Sequence, residues 1–257
     1  MQEPVPVFAV AAPGVDAPPS PAECPYQGLL AFDVDDSARF FGRSDVVHDL
    51  VDRVRRAKFV ALVGSSGSGK SSILRAGLLP AFSENKIVTP GEHPPEVSSG
   101  TSLLVVDQFE ELFTLCHDDD ERAGFIDAIL DYDGPVVIGI RADFYGSCAS
   151  HPALAAAVAG KQLLLGPMSE QDLREAIIEP ARTCGLRVEG ALVDLLVSEV
   201  SGEPGALPLL SHSLLATWAA RDGRTLTLDA YRRTAAEPRW RSSPAPTKAR
   251  SPRSSRA

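Results

Sequence analysis

The residues with the clearest chemistry are Gly64-Ser65-Ser66-Gly67-Ser68-Gly69-Lys70-Ser71-Ser72, entered from the apolar run Phe59-Val60-Ala61-Leu62-Val63. Their spacing fits G-x-x-x-x-G-K-[ST], a loop that wraps phosphates. Glycine lets consecutive backbone N–H groups turn inward on an anion. The helix that follows aims the positive end of its dipole at the same point. Lys70 is placed to reach the β- and γ-phosphates of a nucleotide, and the Ser71 hydroxyl to take a position on Mg²⁺. An apolar strand before the loop and a helix after it set this stretch apart from an ordinary Gly/Ser loop. It reads as a nucleotide site.

Such a loop needs a metal-holding acid at the end of a second buried strand. Leu103-Leu104-Val105-Val106 leads into Asp107, at the carboxyl edge of a sheet, where it can hold Mg²⁺ together with Ser71. Hydrolysis also needs a group that orients or deprotonates water. Gln108 occupies the position next to the aspartate, so Glu110 and Glu111, one turn on, are the candidates, with Glu111 preferred. Arg141 ends the apolar run Val136-Val137-Ile138-Gly139-Ile140. If that run lies between the loop strand and the Asp107 strand, Arg141 faces the γ-phosphate and can neutralise developing charge.

The elements that must position these groups alternate along the chain. Strands are expected at 59–63, 86–89, 101–106, 135–140 and 161–165, each short and apolar. Helices are expected at 45–56, capped by Ser44, from the phosphate loop to about Phe82, and from Asp118 to about Asp131. The acids Asp118-Asp119-Asp120-Glu121 suit a helix start, where the dipole favours them, better than a metal site. After Gly166-Pro167 the strands stop. Helices follow at 170–184, behind a capping-box-like Ser169/Asp172 pair, and at 191–200, 207–220 and 229–234. The fold class is α/β, a nucleotide-binding core over 24–167 with a helical lid over 168–236. Residues 1–23, with six prolines, read as a linker, and 237–257 as a basic Ser/Pro-rich tail.

Bulk properties narrow the function. The net charge is −9, but six Lys/Arg and no acid lie beyond Glu237, which leaves −15 in residues 1–237. An acidic body argues against a duplex-binding surface. No apolar run is long enough to span a bilayer, and the first basic residue is Arg39, so a cytoplasmic protein is expected. The four cysteines show no metal spacing and read as reduced thiols.

The strings CPYQGLLAFDVDDSARFFGR, VGSSGSGKSSILRAGLLPAF, LLVVDQFEELFTLC, RADFYGSCASHPAL, LLLGPMSEQDLREAI and GEPGALPLLSHSLLATW together resemble the novel STAND class of signal-transduction ATPases. That class is found mainly in bacteria, often between an N-terminal effector and C-terminal WD40 repeats. The resemblance implies a five-stranded parallel sheet and an ATP/ADP-controlled switch, with Mg²⁺-dependent hydrolysis that Gln108 is expected to make slow. It also implies that Phe41-Gly42-Arg43 sits near the adenine and that Pro208 contacts the base from the helical part. Self-association through this domain is expected. Effector or sensor domains are partners expected in related chains.

Three features depart from the family pattern. Ser44 stands where an acid usually follows Phe-Gly-Arg, the stretch 89–103 is short, and after Tyr231 the basic tail replaces a further helical part. Gln108 and the altered C-terminal end favour one alternative, a nucleotide-binding scaffold with little turnover. A GTPase is the other alternative. Guanine selection commonly uses N-K-x-D, and Asn85-Lys86-Ile87-Val88 lacks the aspartate.

Overall fold

The computed structural model describes residues 24–234 apart from 99 and 204, so the N-terminal linker and the basic tail lie outside the described residues. Five apolar runs form one parallel sheet: β1 (Phe59–Gly64), β2 (Asn85–Val88), β3 (Leu103–Val106), β4 (Val136–Arg141) and β5 (Gln162–Leu165), in the order β2-β3-β4-β1-β5. Side chains alternate between the two faces. Phe59, Ala61, Val63, Val106 and Ile138 pack on one side with α4 (Asp119–Asp131) and α5 (Pro152–Val158). Val60, Leu62, Val105 and Val137 pack on the other with α1 (Ser44–Arg56) and the helix after the phosphate loop. Burial on both faces explains why the central strands are continuously apolar rather than alternating.

β4 lies between β1 and β3, which meets the condition set for Arg141. Gly64 pairs with Arg141, and Val106 with Ile138. The loop, Asp107 and Arg141 therefore share one edge of the sheet. The helix after the loop begins as α2 (Lys70–Ser72), widens to a π-helix over Ile73–Leu78 and closes in a 3₁₀ turn at Leu79–Ala81, which contains Pro80. Gly139 lets this helix lie close on the sheet, because a Cβ there would meet Leu74 Cδ1 at 2.6 Å.

Several local expectations are corrected. α1 starts at Ser44 itself, with Arg43 at the N-cap position and no side-chain cap. The stretch 142–160, given no element above, holds a 3₁₀ segment (Ala142–Ser150) and α5. Strands do not stop after β5: β6 (Arg187–Val188) pairs in parallel with β7 (Thr225–Leu226). Two residues are too few to carry a periodic signal.

The remaining helices are α3 (Glu111–Thr114), α6 (Glu170–Thr183), α7 (Gly190–Val200), α8 (Leu207–Ala219) and α9 (Leu228–Thr234). α6 to α9 share an apolar cluster built on Leu173, Ile177, Leu192, Leu196, Leu210 and Leu214. Tyr26, from the other end of the chain, is part of that cluster, and its hydroxyl donates to the carbonyl of Ile177 at 2.6 Å. The segment 24–32 is thus a strap fixed to the helical part. Tyr26→Phe keeps the ring and removes this hydrogen bond. It should lower stability by about 1 kcal/mol, read from denaturant midpoints.

Candidate nucleotide site

A cavity of about 290 Å³ opens between the sheet edge, the strap and the helical part. Its lining combines Ser66–Ser72, Asp107, Gln108, Glu110 and Arg141 of the sheet core, Phe41 and Arg43 from before α1, and Met168, Pro180, Pro208 and Leu214 of the helical part. Gly67 and Gly69 have φ of +71° and +92°, which only glycine adopts freely, so the loop curls as its spacing predicts. A Cβ on Gly67 would meet Gly205 Cα and Pro208 Cγ, both at 3.2 Å, so the loop apex touches the start of α8.

Lys70 is buried and donates from Nζ to the carbonyls of Gly64 and Ser65, both at 2.9 Å. Burial pushes its ammonium below the usual lysine range, and Glu110 and Asp107 act in the opposite direction. The Ser71 hydroxyl donates to Asp107 Oδ1 at 2.9 Å, and Asp107 is 1% exposed. A hydroxyl and a carboxylate so joined form a hard oxygen donor pair of the type that suits Mg²⁺. Gln108 has φ +54°, an uncommon backbone for a non-glycine residue, and donates its N–H to Asp107 Oδ1 at 3.0 Å.

The two glutamates separate. Glu110 lines the cavity, and its Oε2 accepts the Arg141 N–H at 3.2 Å. Glu111 points elsewhere and accepts from the Gly91 N–H at 3.2 Å. Of the two candidates for the water-orienting group, Glu110 is thus the one that lines the cavity, not the preferred Glu111. The Arg141 guanidinium is half-exposed and paired with Asp143, which raises the arginine and lowers the carboxyl relative to their ordinary values.

Of the Phe41-Gly42-Arg43 motif, Phe41 and Arg43 line the cavity and Gly42 does not. Gly42 instead has φ +80° and lies against the backbone of Asp172 in α6. Arg43 is 7% exposed and donates to the carbonyls of Ser68 at 3.3 Å and Gly166 at 3.1 Å. Burial pushes its guanidinium below the usual arginine value. Gly64 and Ser65 line a neighbouring cavity of about 410 Å³ on the far side of the loop.

Four contributors escaped the sequence reading. Gly28 to Phe32 of the strap wall the cavity, and the Phe32 N–H donates to the Ser72 hydroxyl at 3.2 Å. Arg75 pairs with Asp107 at 3.3 Å. Ser211 lines the cavity one turn after Pro208, with a buried hydroxyl that has no partner among the described residues. Pro180 lacks an N–H, so the Ala176 carbonyl loses its helical donor, and both residues line the cavity.

A family model described as Novel STAND NTPase 1 matches residues 25–100 and 93–236. The chain belongs to the Novel STAND NTPase 1 family. The two matched blocks overlap at residues 93–100, in the loop between β2 and β3. No curated protein matches the sequence. The fold of this STAND NTPase is similar to that of Aeropyrum pernix ORC1, solved in complex with DNA, with a TM-score of 0.57 and 14% identity over 79% of this chain and 67% of that one. Drosophila ORC bound to DNA gives 0.52 and 13% over 91% and 70%. The Thermotoga maritima RuvB Holliday junction branch migration motor gives 0.52 and 15% over 81% and 72%. At these identities the likeness is one of fold. Family and fold make the chain a nucleotide-binding NTPase.

Proposed function

We propose that this chain is an ATP-binding switch in which one nucleotide ties the sheet core (24–167) to the helical lid (168–236). The observation that carries this reading is the shared cavity: Lys70, Asp107 and Glu110 line it from the sheet core, and Pro180, Pro208 and Leu214 line it from the helical part. ATP bound there contacts both parts at once. A ligand that prefers one arrangement of the two shifts their equilibrium by its differential affinity. Ser71 and Asp107 would hold Mg²⁺, which supplies charge neutralisation at the phosphates. Glu110 orients the attacking water, and Arg141, released from Asp143, faces the charge that develops. Gln108 is neutral where an acid would add a second base, so turnover is slow.

The base end favours adenine. Phe41, Met168, Pro180 and Leu214 supply apolar surface around the Ser211 hydroxyl, and the Ala176 carbonyl is an acceptor without its helical donor. An acceptor pairs with the amino group of adenine and opposes the O6 of guanine. Calorimetric titration should show ATP binding at least tenfold tighter than GTP, and the reverse order overturns the assignment. Hydrogen exchange of α6 to α8 should differ between ADP-loaded and ATP-loaded protein; identical protection rejects the switch. Scattering mass with and without ATP tests the self-association expected of the family.

Gln108 also supports a second reading, a scaffold that binds nucleotide without turning it over. Steady phosphate release above that of a Lys70→Ala control rules it out.

A further inference from the structure

Asp107 is a carboxylate with a side chain only 2% exposed. Such a group needs a cation or several donors to remain ionised. Its Oδ1 accepts from the Ser71 hydroxyl and the Gln108 N–H, while Oδ2 faces Arg75 Nε at 3.3 Å. The same guanidinium reaches a second carboxylate: Arg75 Nη1 lies 3.5 Å from Asp33 Oδ2. Asp33 caps the 3₁₀ helix Val34–Arg39 at the end of the strap, directly after Phe32, which is bonded to Ser72. Two neighbouring strap residues thus meet the phosphate-loop helix at Ser72 and Arg75, one turn apart.

We propose that Arg75 is a positioning residue that stands in for a divalent cation at Asp107, and that Asp33 governs how readily it gives way. The inference rests on the nucleotide–Mg²⁺ site proposed above. Arginine cannot lose its proton in a protein, so it always competes with a metal for the same carboxylate. Whatever holds it on Asp107 opposes metal binding, and whatever draws it towards Asp33 assists. By linkage, metal occupancy then loosens or tightens the strap by the same factor. The strap is fixed to α6 through Tyr26, so the metal end of the site communicates with the lid through these residues.

The test is the free Mg²⁺ concentration that gives half of the metal-dependent gain in affinity for a fluorescent ATP analogue, measured on the full chain. Arg75→Met should lower that midpoint by about fivefold or more, because the competitor is gone. Asp33→Asn retains a good helix cap but leaves Arg75 wholly on Asp107, and should raise the midpoint about twofold. In the Arg75→Met background Asp33→Asn should have no effect. An unmoved midpoint in Arg75→Met, or an equal effect of Asp33→Asn in both backgrounds, overturns the proposal. If Arg75→Met fails to fold, the exposed Asp33→Asn decides alone: a midpoint that does not rise is a rejection. A wild-type chain that binds no analogue at any Mg²⁺ concentration overturns the proposed function as well, whereas normal wild-type binding with unmoved variants overturns this inference only.

Discussion

Lys70→Ala should weaken ATP binding by about a hundredfold or more, beyond detection in a routine titration. The lysine is buried beneath the loop, held by the carbonyls of Gly64 and Ser65 at 2.9 Å. Nothing else among the described loop residues carries positive charge at that point. A charge-assisted hydrogen bond contributes about 1.5–3 kcal/mol, and this ammonium can make two to a phosphate chain. The loop itself should keep its shape, because its turn is set by Gly67 and Gly69 rather than by the lysine. Calorimetry with a melting curve as control reads the outcome. Unchanged affinity in a folded variant removes the phosphate-loop assignment.

Glu110→Gln should leave ATP affinity within about threefold and reduce turnover by about 10²–10⁴, the range for loss of a positioned acid–base group. Glu111→Gln should turn over at close to the wild-type rate. The two residues differ by one position, yet only Glu110 lines the cavity with Asp107 and Arg141. Glu111 is occupied with the Gly91 N–H in the loop after β2. Single-turnover phosphate release separates chemistry from binding. A slow Glu111 variant beside a normal Glu110 variant would return the role to Glu111.

The phosphate end of the site could be read from residue order, because its parts are local. Strand, glycine loop and lysine are contiguous, and Asp107 and Arg141 each terminate a buried run. Their meeting depended on one fact of topology, the insertion of β4 between β1 and β3. Residue order favours Glu111 whereas Glu110 is the one that lines the cavity, because the direction of a side chain one turn past a strand depends on backbone detail. Gln108 at φ +54° supplies that detail here, with the chain turning sharply before α3. The strap escaped for another reason. Tyr26 and Phe32 stand in a segment with neither a helical nor an alternating period, and their partners Ile177 and Ser72 lie far along the chain. The partners of Arg75, Asp33 and Asp107, are likewise remote from it in the sequence. Contacts of this kind carry no periodic signal.

The strap also sets an order of events during synthesis. Tyr26 emerges from the ribosome 151 residues before Ile177. At about 5–20 residues per second it waits roughly eight to thirty seconds for the helices that bury it. For that interval the Tyr26 ring is uncovered, while the sheet is being laid down behind it. The lid cluster cannot close before α6 to α8 are made, so the strap joins last although it is synthesised first. A nascent chain stalled just after β5 has cleared the ribosome should therefore hold a formed sheet and a protease-sensitive strap. Release of the full chain should protect both.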